Sequence, residues 1–209
     1  MTTQENLFWQ NTQVGRCDRQ DLLDQRGCTI WFTGLSASGK STTAFALERK
    51  LVDKNKIAYV LDGDNIRHGL NSNLGFGEDD RRENVRRIAE VAKLFADAGL
   101  ITITSFISPY RSDRELAKQI HNEAGLPFLE IHMSTPLATC RQRDQKGLYQ
   151  KAIDGEIQDF TGISAPYEEP LYPDMICDAA VDDVETSAGR ILALLESKHI
   201  LNPHQPEPF

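Results

Sequence analysis

The sequence predicts an α/β fold, in which a parallel β-sheet of about five strands is flanked by helices on both faces. Short apolar segments rich in β-branched residues alternate with longer segments of helical periodicity. This alternation is typical of parallel strands joined by right-handed helical crossovers. The chain has 209 residues, of which 40% are hydrophobic and 26% charged, which is enough for one domain with a buried core. We expect ligands to bind at the carboxyl ends of the strands.

The first predicted strand, 28–33, leads into a glycine-rich loop with the spacing G-x-x-x-x-G-K-S, and a predicted helix, 41–51, follows it. A strand, this loop and a helix N-terminus together indicate a phosphate-binding loop and a P-loop NTPase fold. Backbone N–H groups and the helix N-terminus would bind phosphate oxygens. Lys40 would reach the β- and γ-phosphates of ATP, and the Ser41 hydroxyl would ligate Mg²⁺. A chance match in a Gly/Ser-rich turn is the alternative, which both flanking segments disfavour.

The remaining elements follow in alternation. Further strands are predicted at 57–62, 100–106, 127–133 and 175–181, and further helices at 80–98, 112–124, 135–143 and 184–197. Ser112 is expected to cap its helix, and Pro136 to lie in the first turn of the next. The segment 144–173 is rich in glycine, proline and aromatic residues and shows little helical or strand periodicity. A long irregular segment of this kind inside a compact domain predicts a lid. We therefore divide the chain into an N-terminal extension, 1–27, a P-loop domain, 28–200, with its lid at about 144–173, and a flexible tail, 201–209.

Composition excludes several classes of protein. The net charge of −8 argues against general nucleic-acid binding, which needs a basic surface. No apolar run approaches the length that crosses a bilayer, and the polar N-terminus is no signal peptide. The four cysteines have neither C-x-x-C nor zinc-ligand spacing. We expect reduced thiols in a cytoplasmic protein that binds no membrane.

Two carboxylates, Asp62 and Asp64, follow the second predicted strand. The third strand contains no acid that could assist Mg²⁺ beside the phosphate loop, so the end of the second strand is the available source. One carboxylate could position Mg²⁺ and its water while the other accepts a hydroxyl proton. A polar turn is the alternative, since Asp-Gly is common in turns.

The helix 80–98 carries two polar residues on its predicted inner face. Apolar residues from Val85 to Phe95 recur at helical spacing and define the buried stripe. At about 100° per residue, Arg81 falls inside that stripe and Asn84 close to it. A buried arginine needs a partner. An anionic substrate group and an internal carboxylate are both possible partners.

Further candidates lie in or beside the predicted lid. Arg141, Arg143 and Lys146 could neutralise charge on a transferring phosphoryl group, or they could belong to a solvated helix face. Phe76 and Phe160 could sandwich a planar base, or each could pack in the core.

Several motifs together resemble the adenylyl-sulfate kinase family. They are residues 33–42, 61–71, 105–111, 143–149, 160–163 and 166–168, and the resemblance spans roughly 9–195. It implies transfer of the γ-phosphate of ATP to the ribose 3′-hydroxyl of adenosine 5′-phosphosulfate (APS), in sulfate assimilation. The products would be 3′-phosphoadenylyl sulfate and ADP. The alternatives are a nucleoside or sugar kinase on the same scaffold, and a sensor that binds ATP without turnover.

The site assignments combine the loop, the lid and the resemblance. ATP-binding residues are predicted to be Gly34, Leu35, Ser36, Ala37, Ser38, Gly39, Lys40, Ser41, Thr42, Arg141 and Arg143. The family pattern implies that APS is bound by Asp64, Asn65, Arg67, Phe76, Arg81, Asn84, Ile107, Ser108, Lys146 and Phe160, with the two phenylalanines stacking its adenine. The catalytic set is Lys40, Asp62, Asp64 and Ser108, and Mg²⁺ is assigned to Ser41 and Asp62, partly through water.

Ser108 matches a serine that is phosphorylated in some family members. We interpret it first as a substrate contact, because direct in-line transfer needs no enzyme nucleophile. The resemblance also implies a homodimer. A functional link to ATP sulfurylase would involve a separate chain, since 209 residues leave no room for a fused one.

This chain departs from the family pattern at three positions. It has Arg82 where Asn is usual, Gly77 where Ser is usual, and Ile153 where the lid usually has Arg. Plant relatives carry a regulatory cysteine pair at positions that match Thr12 and Ala58, so we expect no such disulfide control.

Overall fold

A five-stranded parallel sheet organises the computed structural model, which describes Phe8, Gln10 and residues 12–203. The strands are β1 Cys28–Thr33, β2 Ala58–Asp62, β3 Ile101–Ser105, β4 Phe128–Met133 and β5 Met175–Cys177. They pair in the order β2-β3-β1-β4-β5, and every pairing is parallel. The predicted α/β fold is confirmed.

Helices precede, connect and follow the strands along the described chain. They are α1 Arg16–Leu23, α2 Lys40–Asp53, α3 Gly63–Arg67, α4 Glu78–Asp97, α5 Arg111–Glu123, α6 Leu137–Gln142, α7 Leu148–Ile153 and α8 Val184–Ser197. None of these helices is long and apolar enough to span a membrane.

The central strand β1 separates two apolar cores. Ile30 and Phe32 pack on one face of the sheet with residues of α2 and α8. Trp31 packs on the other face with residues of α4 and α5. This division follows from the alternation of side chains along a strand. β1 therefore lies between α2 and α8 on one face of the sheet and α4 and α5 on the other.

The start of α5 differs from the prediction. The N-cap residue is Tyr110, and Ser112 lies within the first turn. The backbone N–H of Arg111 instead donates to the Glu168 carboxylate, 2.8 Å away. A carboxylate from a distant segment therefore satisfies a helix-end donor that a local cap would otherwise satisfy.

Two other boundaries also differ. Pro136 is the N-cap of α6 rather than a residue of its first turn, because its ψ of 143° is extended. β5 ends at Cys177 instead of continuing to 181, because Val181 and Asp182 turn back to donate to the Asp178 carbonyl.

The predicted lid has an apolar core of its own. Within 144–173, α7 buries Tyr149 and Ala152, which pack with Cys140 and Phe160. The sequence showed little periodicity here because α7 has only six residues.

The chain ends bear on the predicted boundaries. Leu201 is buried in the main core, one residue beyond the predicted boundary of the domain. Residues 1–7, 9, 11 and 204–209 lie outside the described residues.

The four cysteines are free thiols, of which Cys17 is exposed and the other three are buried. Burial raises the pKa of Cys28 to about 12, so that thiol is inert at neutral pH.

Candidate active site

The loop between β1 and α2 encloses its own lysine. Lys40 is 7% exposed, and its Nζ donates to the carbonyl oxygens of Gly34 at 3.0 Å and Leu35 at 2.6 Å. Burial lowers the pKa of Lys40 to about 8, because removal from water disfavours the charged form. An anionic phosphate in this loop would favour the charged form again.

Close backbone approach shapes this loop. Gly34 has φ 148°, and a Cβ atom there would lie 2.6 Å from the carbonyl oxygen of Met133. Ala37 adopts a left-handed conformation with φ 57°, which is uncommon for a residue with a side chain. Tight turns of this kind are typical of loops whose backbone N–H groups bind phosphate.

The Ser41 hydroxyl, in the first turn of α2, contacts the carboxylate at the end of β2. Its Oγ donates to Asp62 Oδ2 at 2.7 Å and lies 3.0 Å from the Ser105 hydroxyl. The other carboxylate oxygen of Asp62 accepts from the backbone N–H of Asp64 at 3.1 Å and so caps α3. Asp62 therefore both forms a turn and contacts the phosphate loop, so the two sequence interpretations are compatible.

The sheet register explains how Asp62 reaches the loop. Asp62 lies beside Ser105 on β3, and Ser105 lies beside Phe32 on β1. Sequence reasoning missed Ser105, which only the strand order places between the two groups. A hydroxyl and a carboxylate are hard oxygen donors of the kind that Mg²⁺ prefers, so the residues present fit this ion.

Asp64 pairs with the lid instead of the loop. Its carboxylate forms an ion pair with Lys146, and both side chains are more than 60% exposed (68% and 64%). An exposed pair of this kind contributes little stability, so both groups can exchange partners when a charged ligand arrives. Asn65 is exposed beside them.

Arg67 and Phe76 form a contact at the rim of the site. The Arg67 guanidinium lies 4.2 Å from the centre of the Phe76 ring and donates to the Leu74 and Gly75 carbonyls. Burial lowers the pKa of Arg67. Phe76 is 64% exposed, so one face of its ring remains accessible to a ligand.

The inner face of α4 carries the two polar residues that helical periodicity indicated. Asn84 is 6% exposed and accepts from the Asn71 amide at 2.9 Å. Arg81 donates to the Thr161 hydroxyl at 2.6 Å and to the Phe76 carbonyl at 2.7 Å, and it also bonds a lid carbonyl. The protein partners of Arg81 are therefore neutral, not a carboxylate.

The loop after β3 is joined to the phosphate loop. The Ile107 carbonyl accepts from the Thr33 hydroxyl at 2.8 Å, and Ser108 accepts from Trp31 Nε1 at 3.1 Å. Ser108 is 3% exposed and has φ 38°. Its hydroxyl thus faces a core tryptophan.

The lid contacts the phosphate loop through Tyr149, whose hydroxyl donates to the Ser36 carbonyl at 2.9 Å. Burial raises the pKa of Tyr149, so the hydroxyl keeps its proton. The Phe160 ring packs edge-on against Tyr149 with centroids 5.0 Å apart. Tyr149 is one of the aromatic residues of the predicted lid, but nothing in the local sequence indicates this contact.

Two arginines lie beside the lid on the surface. Arg141 and Arg143 are exposed, and Arg143 donates to the Ala179 carbonyl at 2.8 Å. Thr135, which sequence reasoning missed, donates to the Ser38 carbonyl at 2.9 Å and accepts from the Ala179 N–H at 3.1 Å. Thr135 so connects the phosphate loop to the segment after β5.

Comparison with known proteins gives consistent matches. A family model described as adenylylsulphate kinase matches residues 26–178. The adenylyl-sulfate kinase of Saccharomyces cerevisiae is 58% identical over 95% of this chain and 98% of its own length. The solved structure of the Mycobacterium tuberculosis APS kinase CysC in complex with AMPPNP and APS is 50% identical, with TM-score 0.80, and the match covers 82% of this chain and 99% of that one. A hexameric APS kinase from Thiobacillus denitrificans is 32% identical, with TM-score 0.65, over 85% of this chain and 30% of that one.

Proposed function

The chain belongs to the adenylylsulphate kinase family, and we propose that it transfers the γ-phosphate of ATP to the ribose 3′-hydroxyl of APS. The products are 3′-phosphoadenylyl sulfate and ADP, and the reaction activates sulfate for assimilation. The enzyme is a phosphotransferase with an alcohol group as acceptor. The observation that carries this function is the contact between Ser41 and Asp62 at 2.7 Å, which joins a phosphate loop to the carboxylates of the acceptor side.

We propose that residues 34–42 bind the ATP phosphates. The N-terminus of α2 provides backbone N–H donors, and Lys40 provides a buried positive charge. Arg141 and Arg143 lie just before the lid, where their positive charges would neutralise negative charge on the transferring phosphoryl group.

Ser41 and Asp62 would hold Mg²⁺, partly through water. When bound, the ion neutralises charge that develops on the transferring phosphate. The protein contributes the placement of both oxygen donors, which is already set by the hydrogen bond between them.

Asp64 would accept the proton of the 3′-hydroxyl. Its carboxylate is exposed and forms a surface ion pair with Lys146, so a substrate hydroxyl can replace that partner. Ser108 would position the substrate through its loop and would not act as a nucleophile, because its hydroxyl already bonds Trp31. Transfer is then direct and in line.

The nucleoside of APS would lie between the rim and the lid. Phe76 and Phe160 would stack the adenine, while Arg81 and Asn84 would face it from α4. The remaining proposed contacts are Asn65, Arg67, Ile107 and Lys146. These assignments correspond to an extension at 1–27, a domain at 28–200 with its lid at about 144–173, and a tail at 201–209.

We also propose a cytoplasmic homodimer that is linked functionally to ATP sulfurylase as the source of APS. β2 is an outermost strand, and Ile57 and Tyr59 are 48% and 52% exposed there. An exposed apolar edge of this kind favours contact with a second copy. Size-exclusion chromatography with light scattering tests this, and a monomer mass at working concentration would contradict it.

A coupled ADP assay with the full chain tests the reaction. APS, adenosine, other nucleosides and gluconate are each supplied with ATP and Mg²⁺, and we expect ADP formation only with APS. No ADP with APS would overturn the proposed function. ADP with a nucleoside or gluconate would favour the kinase alternatives, and ATP binding without any ADP would indicate a sensor.

A further inference from the structure

Arg114 connects three separate segments from inside the protein. This residue of α5 is 3% exposed. Its Nε donates to Glu130 on β4 at 2.7 Å, its Nη1 to the Ser108 carbonyl at 2.7 Å, and its Nη2 to the Glu168 carbonyl at 2.6 Å. One guanidinium therefore bonds the central sheet, the loop after β3 and the end of the lid.

The loop that Arg114 bonds has an unfavourable backbone conformation. Ser108 has φ 38°, and a non-glycine residue keeps such a conformation only where its surroundings impose it. Trp31 donates to the Ser108 side chain, and Thr33 donates to the carbonyl of Ile107. Arg114 adds the charged donor to this set, on the Ser108 carbonyl itself.

The end of the lid is attached to the same loop. Glu168 donates its N–H to the Pro109 carbonyl at 2.9 Å and accepts from the N–H of Arg111 at 2.8 Å. The Tyr167 and Thr33 hydroxyls lie 3.0 Å apart. The loop after β3 and residues 167–168 thus form one clamp, in which Arg114 is the central donor.

The chemistry of this position requires arginine and its acid. A buried guanidinium is stable only with a paired charge, which Glu130 supplies. Its three donors lie in a rigid planar fork, whereas a lysine has one flexible ammonium group. Lysine at 114 would keep the charge but could not hold all three segments in the same geometry.

We infer that Arg114 is a positioning residue for the APS side of the active site. It holds Ile107 and Ser108 where they meet the substrate and anchors the lid at Glu168, without touching a reacting atom. This inference rests on the proposed function, because it assigns these loop residues to APS. A purely structural ion pair would instead change stability and leave substrate affinity unchanged.

Kinetics of two variants and a control separate these roles. For Arg114→Lys we expect the KM for APS to rise about tenfold, as for loss of a charge-assisted hydrogen bond, with the KM for ATP within about twofold of the wild type. Glu130→Gln should also raise the KM for APS and leave the KM for ATP within about twofold, because it removes the negative charge that pairs with the guanidinium. Arg16→Lys is the control, since Arg16 also bonds an acid, Asp97, and two carbonyls, those of Ala124 and Gly125, at the C-terminal ends of α4 and α5.

Trp31 provides an independent spectroscopic readout. The sequence has two tryptophans, so in a Trp9→Phe background only Trp31 emits, and its Nε1 bonds Ser108. Titration with APS should change this emission, and Arg114→Lys should move the midpoint to higher APS concentration by the same factor as the KM.

The outcomes are distinguishable. If the wild type does not phosphorylate APS, the proposed function fails first. If it does, an unchanged KM for APS in Arg114→Lys overturns the inference. The inference also fails if Arg114→Lys, like Arg16→Lys, lowers only the melting temperature. If Arg114→Lys does not fold, Glu130→Gln decides the question by the same criterion, because it keeps the size and an acceptor oxygen.

Discussion

The Ser41 hydroxyl, in the first turn of α2, donates a hydrogen bond of 2.7 Å to the Asp62 carboxylate at the end of β2. The strand that precedes α2 is β1, and β1 and β2 are not neighbours in the sheet. β3 lies between these strands and ends in Ser105, whose hydroxyl is 3.0 Å from that of Ser41. A small residue at this position leaves room for the carboxylate to cross. The contact between Ser41 and Asp62 thus depends on where β1, β2 and β3 end and on the small side chain of Ser105.

Asp62→Asn should weaken the use of Mg²⁺. The amide keeps the size of the side chain but removes the negative charge that a divalent cation needs. We expect the Mg²⁺ concentration for half-maximal activity to rise about tenfold or more. Asp182→Asn, which alters a surface ion pair with Arg190, is the control. Equal Mg²⁺ dependence in both variants would contradict the assignment.

Asp64→Asn should slow turnover without preventing ATP binding. The amide cannot accept a proton, and loss of a general base lowers kcat by about 100-fold or more. The Asp64 carboxylate bonds Lys146 and not the phosphate loop, so the dissociation constant for ATP should stay within about twofold. Full turnover in this variant would show that the base lies elsewhere.

Lys40→Met should abolish turnover while removing a pH-dependent contribution to stability. The pKa of Lys40 is about 8 in the folded protein against 10.5 ordinarily, so the unfolded chain binds more protons between these values. The free energy of unfolding of the wild type should therefore rise by about 1–3 kcal/mol relative to Lys40→Met from pH 8 to 10.5. Urea unfolding at several pH values measures this, and parallel curves would contradict it.

Tyr149→Phe should weaken ATP binding by a few-fold. The variant keeps the ring against Phe160 and removes only the hydrogen bond to the Ser36 carbonyl, a loss of about 0.5–1.5 kcal/mol. The KM for ATP should rise about two- to tenfold, with a smaller effect on APS. Tyr172→Phe removes the hydroxyl of a lid tyrosine that is 86% exposed and should change neither constant. If Tyr149→Phe and Tyr172→Phe changed the KM for ATP equally, the hydrogen bond between Tyr149 and Ser36 would have no role in ATP binding.

His121→Gln should reduce the loss in the free energy of unfolding at acidic pH. His121 is buried between the Thr29 hydroxyl at 2.8 Å and the Ala117 carbonyl at 2.7 Å, and burial lowers its pKa. The unfolded chain therefore takes up a proton below about pH 6.5 that the folded chain resists, so stability falls as pH drops through that value. Unfolding free energies at pH 7.5 and 5.5 should differ less for the variant than for the wild type. An equal difference would show that other groups dominate.

Much of the site could be predicted because its signals are local. The phosphate loop depends on glycines, Lys40 and Ser41 within one turn, where neighbouring backbone atoms set the geometry. Asn84 was placed on the inner face of α4 by helical periodicity alone, and it is buried. The absence of an acid on the third strand also indicated the end of the second.

The contacts that join segments could not be predicted in this way. Ser105, Tyr149 and the Glu168 cap of α5 depend on which strands and loops become neighbours. Arg114 appears in the sequence as one of many charged residues on an amphipathic helix, and only its burial and its acceptors on three other segments distinguish it.

The sequence by itself therefore determined the fold class, the phosphate loop, the candidate acids and the inner face of α4. In each case, residues close together in the chain carry the signal, through hydrogen bonding of the backbone or the periodicity of side chains. Only the tertiary structure decided that Asp62 reaches Ser41 across β3, and that Arg114 holds Ser108 and Glu168 together. These contacts, each shorter than 3 Å, depend on how strands, helices and loops pack against one another, which local sequence patterns do not specify.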